Sequence, residues 1–384
     1  MKIINKKEIP QGGLILEEKP FAYILCEKFR TVRCDFCFQK GQLLKCSVCR
    51  YTYYCGRACQ REGWTVHKLE CKYLKQISPR ILPDSGRLLA RLIKVLEKGG
   101  HNTKSYYTDI RFRTFKDLMS HYPNLKNDST RMEHFSSLYA VLYEFFRGES
   151  LPNSAELMGM YGRIYISYID VMATKKERLQ ELEQAYYFLC RCVKCINPEP
   201  IIEMTGAACP NSDCNNCFDS FTIKPDDECS ACGTIISGEF IQLFQDVMDM
   251  TCMHLENMKE TTFLDVCKVC LKKQKGILYK YNVKHIKTLD LAFDSSIEFG
   301  KFEEATEYGL QLIKSFYEYY GNVHPMVGLL HLKLAKLLLH QDCSEDALDH
   351  LKKAKDILKI THGMSSSIFK EHILPLYQDI MLEN

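Results

Sequence analysis

The sequence predicts an α+β protein in which cysteine-rich zinc modules precede a long helical region. Three observations lead to this class. Sixteen of the 20 cysteines fall in two clusters, eight between Cys26 and Cys71 and eight between Cys190 and Cys232. Between the clusters, helix signals alternate with short β-branched and aromatic runs. From about residue 240 onward, turn signals are few and apolar stripes of helical period are many.

The overall composition is that of a globular protein. The chain has 384 residues, of which 46% are hydrophobic and 26% charged, which excludes a disordered or fibrous chain. No apolar run approaches the ~20 residues of a membrane span, and charged residues occupy the place of a signal peptide's apolar run. We therefore expect a soluble protein of the cytoplasm and nucleus, without membrane contact. In such a reducing compartment, clustered cysteines indicate metal ligands rather than disulfides.

The first cluster has the spacing of two zinc sites. Two C-x2-C turns and two pairs spaced by four residues supply eight potential ligands: Cys34, Cys37, Cys46, Cys49, Cys55, Cys59, His67 and Cys71. Zinc takes four nitrogen or sulfur donors in a tetrahedron, so eight ligands complete two closed sites. Closed sites are structural rather than catalytic.

This segment resembles a MYND zinc finger over its whole length. The resemblance assigns Cys34, Cys37, Cys55 and Cys59 to one zinc ion and Cys46, Cys49, His67 and Cys71 to the other. It also implies binding of proline-rich peptides, for which Tyr53, Tyr54 and Trp64 are candidate groove residues, although a place in the core of the finger suits them equally well. Residues 28–80 carry twelve Lys or Arg against three acids, a charge excess that is compatible with contact with DNA, as the resemblance also implies. A solvated, solubilising surface is the more common reason for such an excess.

Capping signals mark three helices in the middle of the chain. Asp84 precedes an apolar stripe that ends at two glycines, and Thr130 with Glu133 forms a capping-box pattern. Thr174 with Glu177 forms a second capping box before a helix that leads to an aromatic run. Residues 164–170 are β-branched and aromatic, which favours a short buried strand.

Several segments together resemble the SET and MYND domain-containing lysine methyltransferases. They are GGLILEEKPFAYIL, LPDSGRLLARLIKVLEKG and YISYIDVMATKKERLQEL. The resemblance implies fragments of a SET β fold around an inserted MYND finger, a post-SET zinc module and a C-terminal helical domain resembling tetratricopeptide repeats. It divides the chain into a partial SET region at 1–33, the finger at 34–71, a helical SET insert at 72–163, a residual SET part at 164–189, post-SET and ribbon-like cysteines at 190–235, and helices at 240–384.

The resemblance also implies a cofactor and a set of site residues, and it shows a departure. Family members use S-adenosylmethionine, with Tyr168 and Tyr186 placed at a lysine channel and Phe188 beside the cofactor's adenine. The family's Gly-x-Gly turn is expected before the position of Met1. Its Asn-His-Ser-Cys segment does not occur between Ile164 and Tyr165, where several SET strands are expected to be missing.

The second cysteine cluster predicts further zinc sites. Cys190, Cys192 and Cys195 resemble the post-SET motif, which offers three thiolates to one zinc, the fourth ligand coming from the missing segment. Downstream, a knuckle formed by Cys229 and Cys232 combines with Cys209 and Cys214, or alternatively with Cys214 and Cys217. In either case the cysteine that is left over is a candidate to complete the triad. Cys267 and Cys270 fall in an apparently helical stretch and are expected to be buried thiols.

The C-terminal region contains a weak internal repeat. Glu303-Glu304-Ala305 and Gly321 recur 42 residues later as Glu345-Asp346-Ala347 and Gly363. Helix pairs with a small alanine at the crossing resemble tetratricopeptide repeats, whose concave face binds proteins. The alternative is that these helices form a lid packed on the SET core.

Two functions are compatible with these patterns. The first is a zinc-dependent protein-interaction form of the methyltransferase family, with impaired or absent methyl transfer. The alternative is an active S-adenosylmethionine-dependent protein-lysine N-methyltransferase acting on histone or non-histone lysines. The absent cofactor motifs favour the first.

Overall fold

The structure is a computed structural model. It describes residues 13, 19–106, 110–118, 120, 122–147, 149, 151–164, 169–170, 172–197, 199–258 and 263–383. The chain divides into two compact units, the first of residues 14–168 and the second of residues 169–384 together with residues 1–13. None of the described helices is long and apolar enough to cross a membrane.

The first unit begins with the zinc-finger region and continues as a group of helices. Its elements are β1 (Leu44–Lys45), β2 (Tyr53–Tyr54), α1 (Arg57–His67), α2 (Cys71–Ile77), α3 (Asp84–Glu97), β3 (Ser105–Tyr106), β4 (Phe112–Arg113), α4 (Tyr122–Leu125), α5 (Ser129–Phe145) and α6 (Ser154–Ile164). Strands β1 and β2 form one antiparallel hairpin and β3 and β4 another.

Helices α2 and α3 both pack on α5. The ring of Tyr73 on α2 lies 5.4 Å from that of Phe145 and 4.8 Å from that of Phe146. On α3, a Cβ atom at Gly86 would lie 3.3 Å from the Cγ1 of Val141, so the small residue permits the close approach of the two helices. This packing supports α3, the helix that contacts the finger.

The second unit joins a cysteine-rich region to the predicted helical array. Its elements are α7 (Lys175–Tyr186), α8 (Val193–Ile196), α9 (Ile201–Thr205), β5 (Ala207–Ala208), β6 (Cys217–Phe218), α10 (Gly238–Asn257), α11 (Leu264–Gln274), α12 (Val283–Glu298), α13 (Phe302–Tyr320), α14 (Pro325–His340), α15 (Ser344–Thr361) and α16 (Leu374–Glu383). Strands β5 and β6 form a third antiparallel hairpin.

The α+β class is confirmed, with helices as the dominant element. Among the described residues, β structure is limited to three hairpins of two-residue strands and a few isolated bridges. The strands predicted at 164–170 and in the LILEEKP segment lie largely outside the described residues.

Two of the three predicted helix starts need correction. The capping box of Thr174 and Glu177 is present at α7. At α5, however, Asp128 is the cap and accepts a hydrogen bond from the backbone N–H of Arg131, so the predicted box at Thr130 is wrong. Asp84 begins α3 without capping it, because its carboxylate accepts a hydrogen bond from the backbone N–H of Glu27.

The predicted repeat coincides with helix pairs. Its first copy opens α13 and its second opens α15, and Ala305 and Ala347 are completely buried. Gly321 and Gly363 follow these helices with φ of 81° and 79°, a left-handed conformation that glycine adopts readily.

The core of the array extends beyond residue 240 toward the amino terminus. Met172 and Met204 are 2% and 3% exposed and pack in one apolar cluster with residues of α12, α13 and α14. Lys284 on α12 also pairs with Glu177 on α7 at 2.6 Å. The segment that precedes the array therefore contributes to its core.

We expect a fragment of residues 237–384 to be helical by circular dichroism but less stable than residues 169–384. Burial of one methionine contributes about 1.5–3 kcal/mol, and the shorter fragment lacks two buried methionines. In the longer fragment, Met172→Ala should lower the urea midpoint, whereas Met364→Ala, at a side chain 57% exposed, should leave it unchanged. Equal stability of the two fragments would contradict the shared core.

Candidate metal centres

The first group of finger ligands comes together as predicted. The thiols of Cys34, Cys37, Cys55 and Cys59 all lie within 4.8 Å of one another. The Sγ atoms of Cys37 and Cys55 are 3.7 Å apart, and those of Cys55 and Cys59 are 3.2 Å apart. Zn–S bonds of about 2.3 Å in a tetrahedron place two sulfurs about 3.8 Å apart, so the group has nearly the dimensions of a zinc site.

The second group lies deeper in the same unit. Cys46, Cys49, His67 and Cys71 are all buried, and their ligand atoms also lie within 4.8 Å of one another. The Sγ atoms of Cys46 and Cys71 are 3.9 Å apart, and the Cys49 Sγ is 3.5 Å from the His67 Nε2. Helix α1 ends at His67 and α2 begins at Cys71, so the ligands of this group hold two consecutive helices together.

The chemistry of the second group favours a thiolate ligand. Burial alone would raise the pKa of the Cys49 thiol, but hydrogen bonds from His67 and from the backbone lower it to about 6. Burial alone would lower the pKa of His67, but Cys49 and Glu70 raise it to about 10. In the metal-free finger a protonated His67 therefore faces the thiolate, and a metal ion entering the site replaces that proton.

Glu70 orients His67 from the side opposite the ligand group. Its Oε1 lies 3.5 Å from the His67 Nδ1, which leaves Nε2 directed at the thiols. A carboxylate behind a ligating histidine fixes the tautomer and the orientation of its ring. Burial alone would raise the pKa of Glu70, yet Arg87 and Arg91 hold it well below its usual range.

A buried ionic network connects both ligand groups to α3. Arg87 lies 2.8 Å from Glu70 and 3.0 Å from Asp35, and Arg91 pairs with Glu70 and lies 3.6 Å from Asp35. All four side chains are at most 5% exposed. Asp35 follows the ligand Cys34 in the sequence and Glu70 precedes the ligand Cys71, so each ligand group is next to a carboxylate held by α3.

This network was not predicted from the sequence, although the sequence contains one signal of it. Arg87 and Arg91 are four residues apart and lie on one face of α3, beside its apolar stripe. Two arginines so placed require buried carboxylate partners.

In the second unit the ribbon-like group is formed by Cys209, Cys214, Cys229 and Cys232. The Sγ atoms of Cys209 and Cys232 are 3.6 Å apart, and those of Cys214 and Cys229 are 3.8 Å apart, again the dimensions of a zinc tetrahedron. The geometry favours the first of the two predicted combinations. Cys217 lies on β6, outside this group.

The post-SET triad also comes together. Cys190, Cys192 and Cys195 have thiols within 4.8 Å of one another, and Cys217 does not join them. Cys267 and Cys270, in contrast, are buried on α11 and belong to none of the ligand groups of the described residues, as predicted.

The comparisons with known proteins agree with these modules. The MYND finger family model matches residues 34–71. Over 435 aligned positions the chain is 26% identical to the histone-lysine N-methyltransferase SMYD3 of Mus musculus, covering 95% of this chain and 92% of that protein. It is 22% identical to the histone-lysine N-methyltransferase ASHR1 of Arabidopsis thaliana, covering 96% and 91%, and 24% identical to the N-lysine methyltransferase SMYD2-A of Danio rerio, covering 93% and 91%. The chain is thus similar to SET-MYND lysine methyltransferases over nearly its whole length, and its residues 34–71 match the MYND finger. Zinc is the metal that the finger and the cysteine groups indicate, and the resemblance implies S-adenosylmethionine as cofactor.

The alignment with SMYD3 also contains gaps on the side of this chain. The 435 aligned positions exceed the 384 residues of the chain, so stretches of SMYD3 stand opposite gaps in this chain. This length difference is consistent with the SET strands expected to be missing between Ile164 and Tyr165.

The described residues do not form a complete site for S-adenosylmethionine. Tyr186 ends α7 and is partly buried, and the Phe188 side chain is 39% exposed. Tyr168 lies outside the described residues. Two aromatic rings offer stacking surface but no set of polar groups for the charged amino-acid end of the cofactor. Tyr186 and Phe188 by themselves therefore do not provide the hydrogen-bonding and charged groups that S-adenosylmethionine requires.

Of the aromatic residues predicted to line a peptide groove on the finger, Tyr54 is buried and Trp64 is exposed at the surface. Tyr54 is 1% exposed and belongs to the finger core, whereas Trp64 is 42% exposed. Trp64 and Val48 line a groove of about 610 Å³ together with Lys68, Lys72 and Lys75. Tyr53 is partly buried on β2 and does not line this groove.

The basic character predicted for the finger lies on its surface. Of the twelve Lys and Arg residues between 28 and 80, only Arg30 and Arg33 are partly buried, and the others are exposed.

Proposed function

We propose that this SET-MYND chain acts as a zinc-dependent protein-interaction form of its family, with impaired or absent lysine methyl transfer. The observation that carries the proposal is the alignment with SMYD3, which is longer than the chain although it covers 95% of it. A methyltransferase that lacks internal SET sequence loses cofactor contacts, whereas the three zinc modules with four ligands each and the helices of the array are present in this chain. The relatives are named for methylation of histone lysine or protein lysine, and that activity is the alternative for this chain.

The proposed zinc ligands are the residues that the structure groups together. They are Cys34, Cys37, Cys55 and Cys59; Cys46, Cys49, His67 and Cys71; Cys209, Cys214, Cys229 and Cys232; and the triad Cys190, Cys192 and Cys195. Their sulfur separations support tetrahedral zinc in the first three groups. The MYND module is a protein-interaction module, so the metal would serve binding by holding its surface in shape.

The proposed ligand of the finger is a proline-rich peptide with acidic residues beside its apolar anchor. An exposed indole with Val48 offers the apolar contact, and aromatic grooves of this kind suit extended proline-rich segments. Lys68 and Lys75 have no carboxylate within ion-pair distance among the described residues, while Lys72 pairs with Glu149 at 2.9 Å. The two unpaired ammonium groups favour acidic neighbours in the peptide.

Trp64→Ala is expected to weaken binding of such a peptide at least about thirtyfold, because a central aromatic anchor is a typical hot spot whose removal costs at least about 2 kcal/mol. Fluorescence anisotropy of a labelled proline-rich acidic peptide, titrated with the full chain, measures the loss. Tyr143→Ala, at an exposed ring outside the groove, is the matched control and should bind as the parent does. The zinc content of both variants should be unchanged. Undiminished binding by Trp64→Ala would refute the groove.

Two further contacts belong to the same proposal. The helical array of the second unit offers a protein-binding surface of the tetratricopeptide type, and the exposed basic residues of the finger offer contact with DNA. Both suit a protein of the cytoplasm and nucleus. If the basic surface binds DNA, affinity should fall steeply with salt concentration, since each neutralised phosphate releases counterions.

A further inference from the structure

The triad of the second unit differs from the other three ligand groups in one respect. Those three groups contain four ligand residues each, whereas Cys190, Cys192 and Cys195 form a group of three. Any described cysteine, histidine, aspartate or glutamate with a ligand atom within 4.8 Å of all three thiols would belong to the group, and none does.

None of the remaining cysteines joins the triad. All 20 cysteines are described, and the six outside the ligand groups are Cys26, Cys217, Cys252, Cys267, Cys270 and Cys343. Cys217, the candidate for this place in the sequence analysis, has its pKa raised by burial and by Glu203 rather than by other thiols, so its neighbours are not those of a ligand group.

The three cysteines of the triad are not enclosed as a group, since Cys195 is buried, Cys190 is partly buried and Cys192 is exposed. A zinc ion held by these three thiolates has no fourth ligand among the described cysteine, histidine, aspartate and glutamate residues. Three thiolates and Zn²⁺ leave one net negative charge and an unfilled tetrahedron, and zinc sites with three protein ligands keep their fourth position for an exchangeable ligand.

We propose that Cys190, Cys192 and Cys195 form an open zinc site whose fourth ligand is the thiolate of a small external thiol, exchanging with water. Sulfur is the donor that zinc already has in this group, and a soft donor suits a thiolate site better than a carboxylate does. The thiol binds as its thiolate, forms one Zn–S bond, displaces the bound water and releases its proton to solvent. The inference does not depend on the proposed protein-interaction function.

Metal release from the full chain tests the open site. The chain is loaded with Zn²⁺, kept reduced with a phosphine instead of a thiol, and mixed with a chromophoric chelator. Four equivalents are expected, one from each ligand group, with one released fast and three released slowly. Cys192→Ser should lose the fast equivalent and keep the three slow ones. Cys252→Ser, at an exposed cysteine outside the groups, should keep all four.

Cobalt substitution identifies the fourth ligand. In the Co²⁺-loaded chain, added glutathione should change the thiolate charge-transfer bands with saturation at one equivalent, and the change should be absent from Cys192→Ser. Three equivalents of metal in the parent chain would overturn the site, and four equally slow equivalents would overturn its openness. Charge-transfer bands that do not respond to glutathione would show that an external thiol is not the fourth ligand. The same result is expected if a second copy of the chain supplies the fourth donor, and it would overturn the proposal in that case too.

Discussion

Titration of the full chain with S-adenosylmethionine is expected to give no heat of one-to-one binding in the micromolar range. Micromolar affinity requires about −8 kcal/mol. The described candidate, Phe188, is 39% exposed, and one aromatic contact contributes only about 0.5–1.5 kcal/mol beyond area burial. The Asn-His pair that contacts the cofactor in the resembling family has no counterpart in this sequence between Ile164 and Tyr165.

The rate of lysine methylation by the chain should also be far below that of a complete family member. In-line attack requires the methyl group and the amine to be held close together, and a misplacement of about 1 Å can cost about a hundredfold. The assay is transfer of labelled methyl groups to histones and to a protein extract, with a complete family member as the positive control. Tight one-to-one binding and comparable turnover would instead establish the active methyltransferase, in which Tyr168→Phe and Tyr186→Phe should both slow the reaction.

Arg87→Ala is expected to destabilise the first unit by about 3–5 kcal/mol, because removal of one partner leaves buried charges uncompensated. Arg87 is 2% exposed and is shared by Asp35 and Glu70, which are equally inaccessible to solvent. The fluorescence of Trp64 reports on this unit during urea unfolding, since Trp64 is the single tryptophan of the chain.

The matched control for Arg87 is Arg80→Ala. Arg80 pairs with Glu144 at the surface, where both side chains are more than half exposed, and solvent screens such a pair. The unfolding curve of Arg80→Ala should overlay that of the parent. If Arg87→Ala gave an equally unchanged curve, the buried network would not support the fold.

The ligand groups were predictable from the sequence because their geometry is largely local. A C-x2-C turn brings two donors together by itself, and residues four apart remain close along the chain. The second closeness does not come from one helix, because Cys55 precedes α1 and because His67 and Cys71 belong to successive helices. The combination of Cys209, Cys214, Cys229 and Cys232 was not decided by spacing, since Cys214 with Cys217 has an equally suitable spacing. The path of β6 decides it, because Cys217 pairs there with Ala208 of β5.

Features that depend on the direction of a side chain or on distant residues were predicted less well. Tyr53 and Tyr54 are consecutive in β2, and successive side chains of a strand point to opposite faces, so they cannot line one groove together. At α5 two residues compete to cap the helix, and with Asp128 as the cap the helix begins two residues earlier than it would with Thr130. The contact of Arg87 with Asp35 spans 52 residues of sequence and has no local signature.

Helix α3 contains no cysteine or histidine, yet it holds a carboxylate beside each ligand group of the finger. In a genetic screen for loss of zinc, substitutions at Arg87 and Arg91 should therefore be recovered together with substitutions of the ligands themselves. A map of zinc-sensitive positions would continue past Cys71 into a helix outside the finger motif. A natural variant at Arg87 or Arg91 should therefore be interpreted as a change that affects zinc binding by the finger, although both positions lie outside the sequence pattern of the finger.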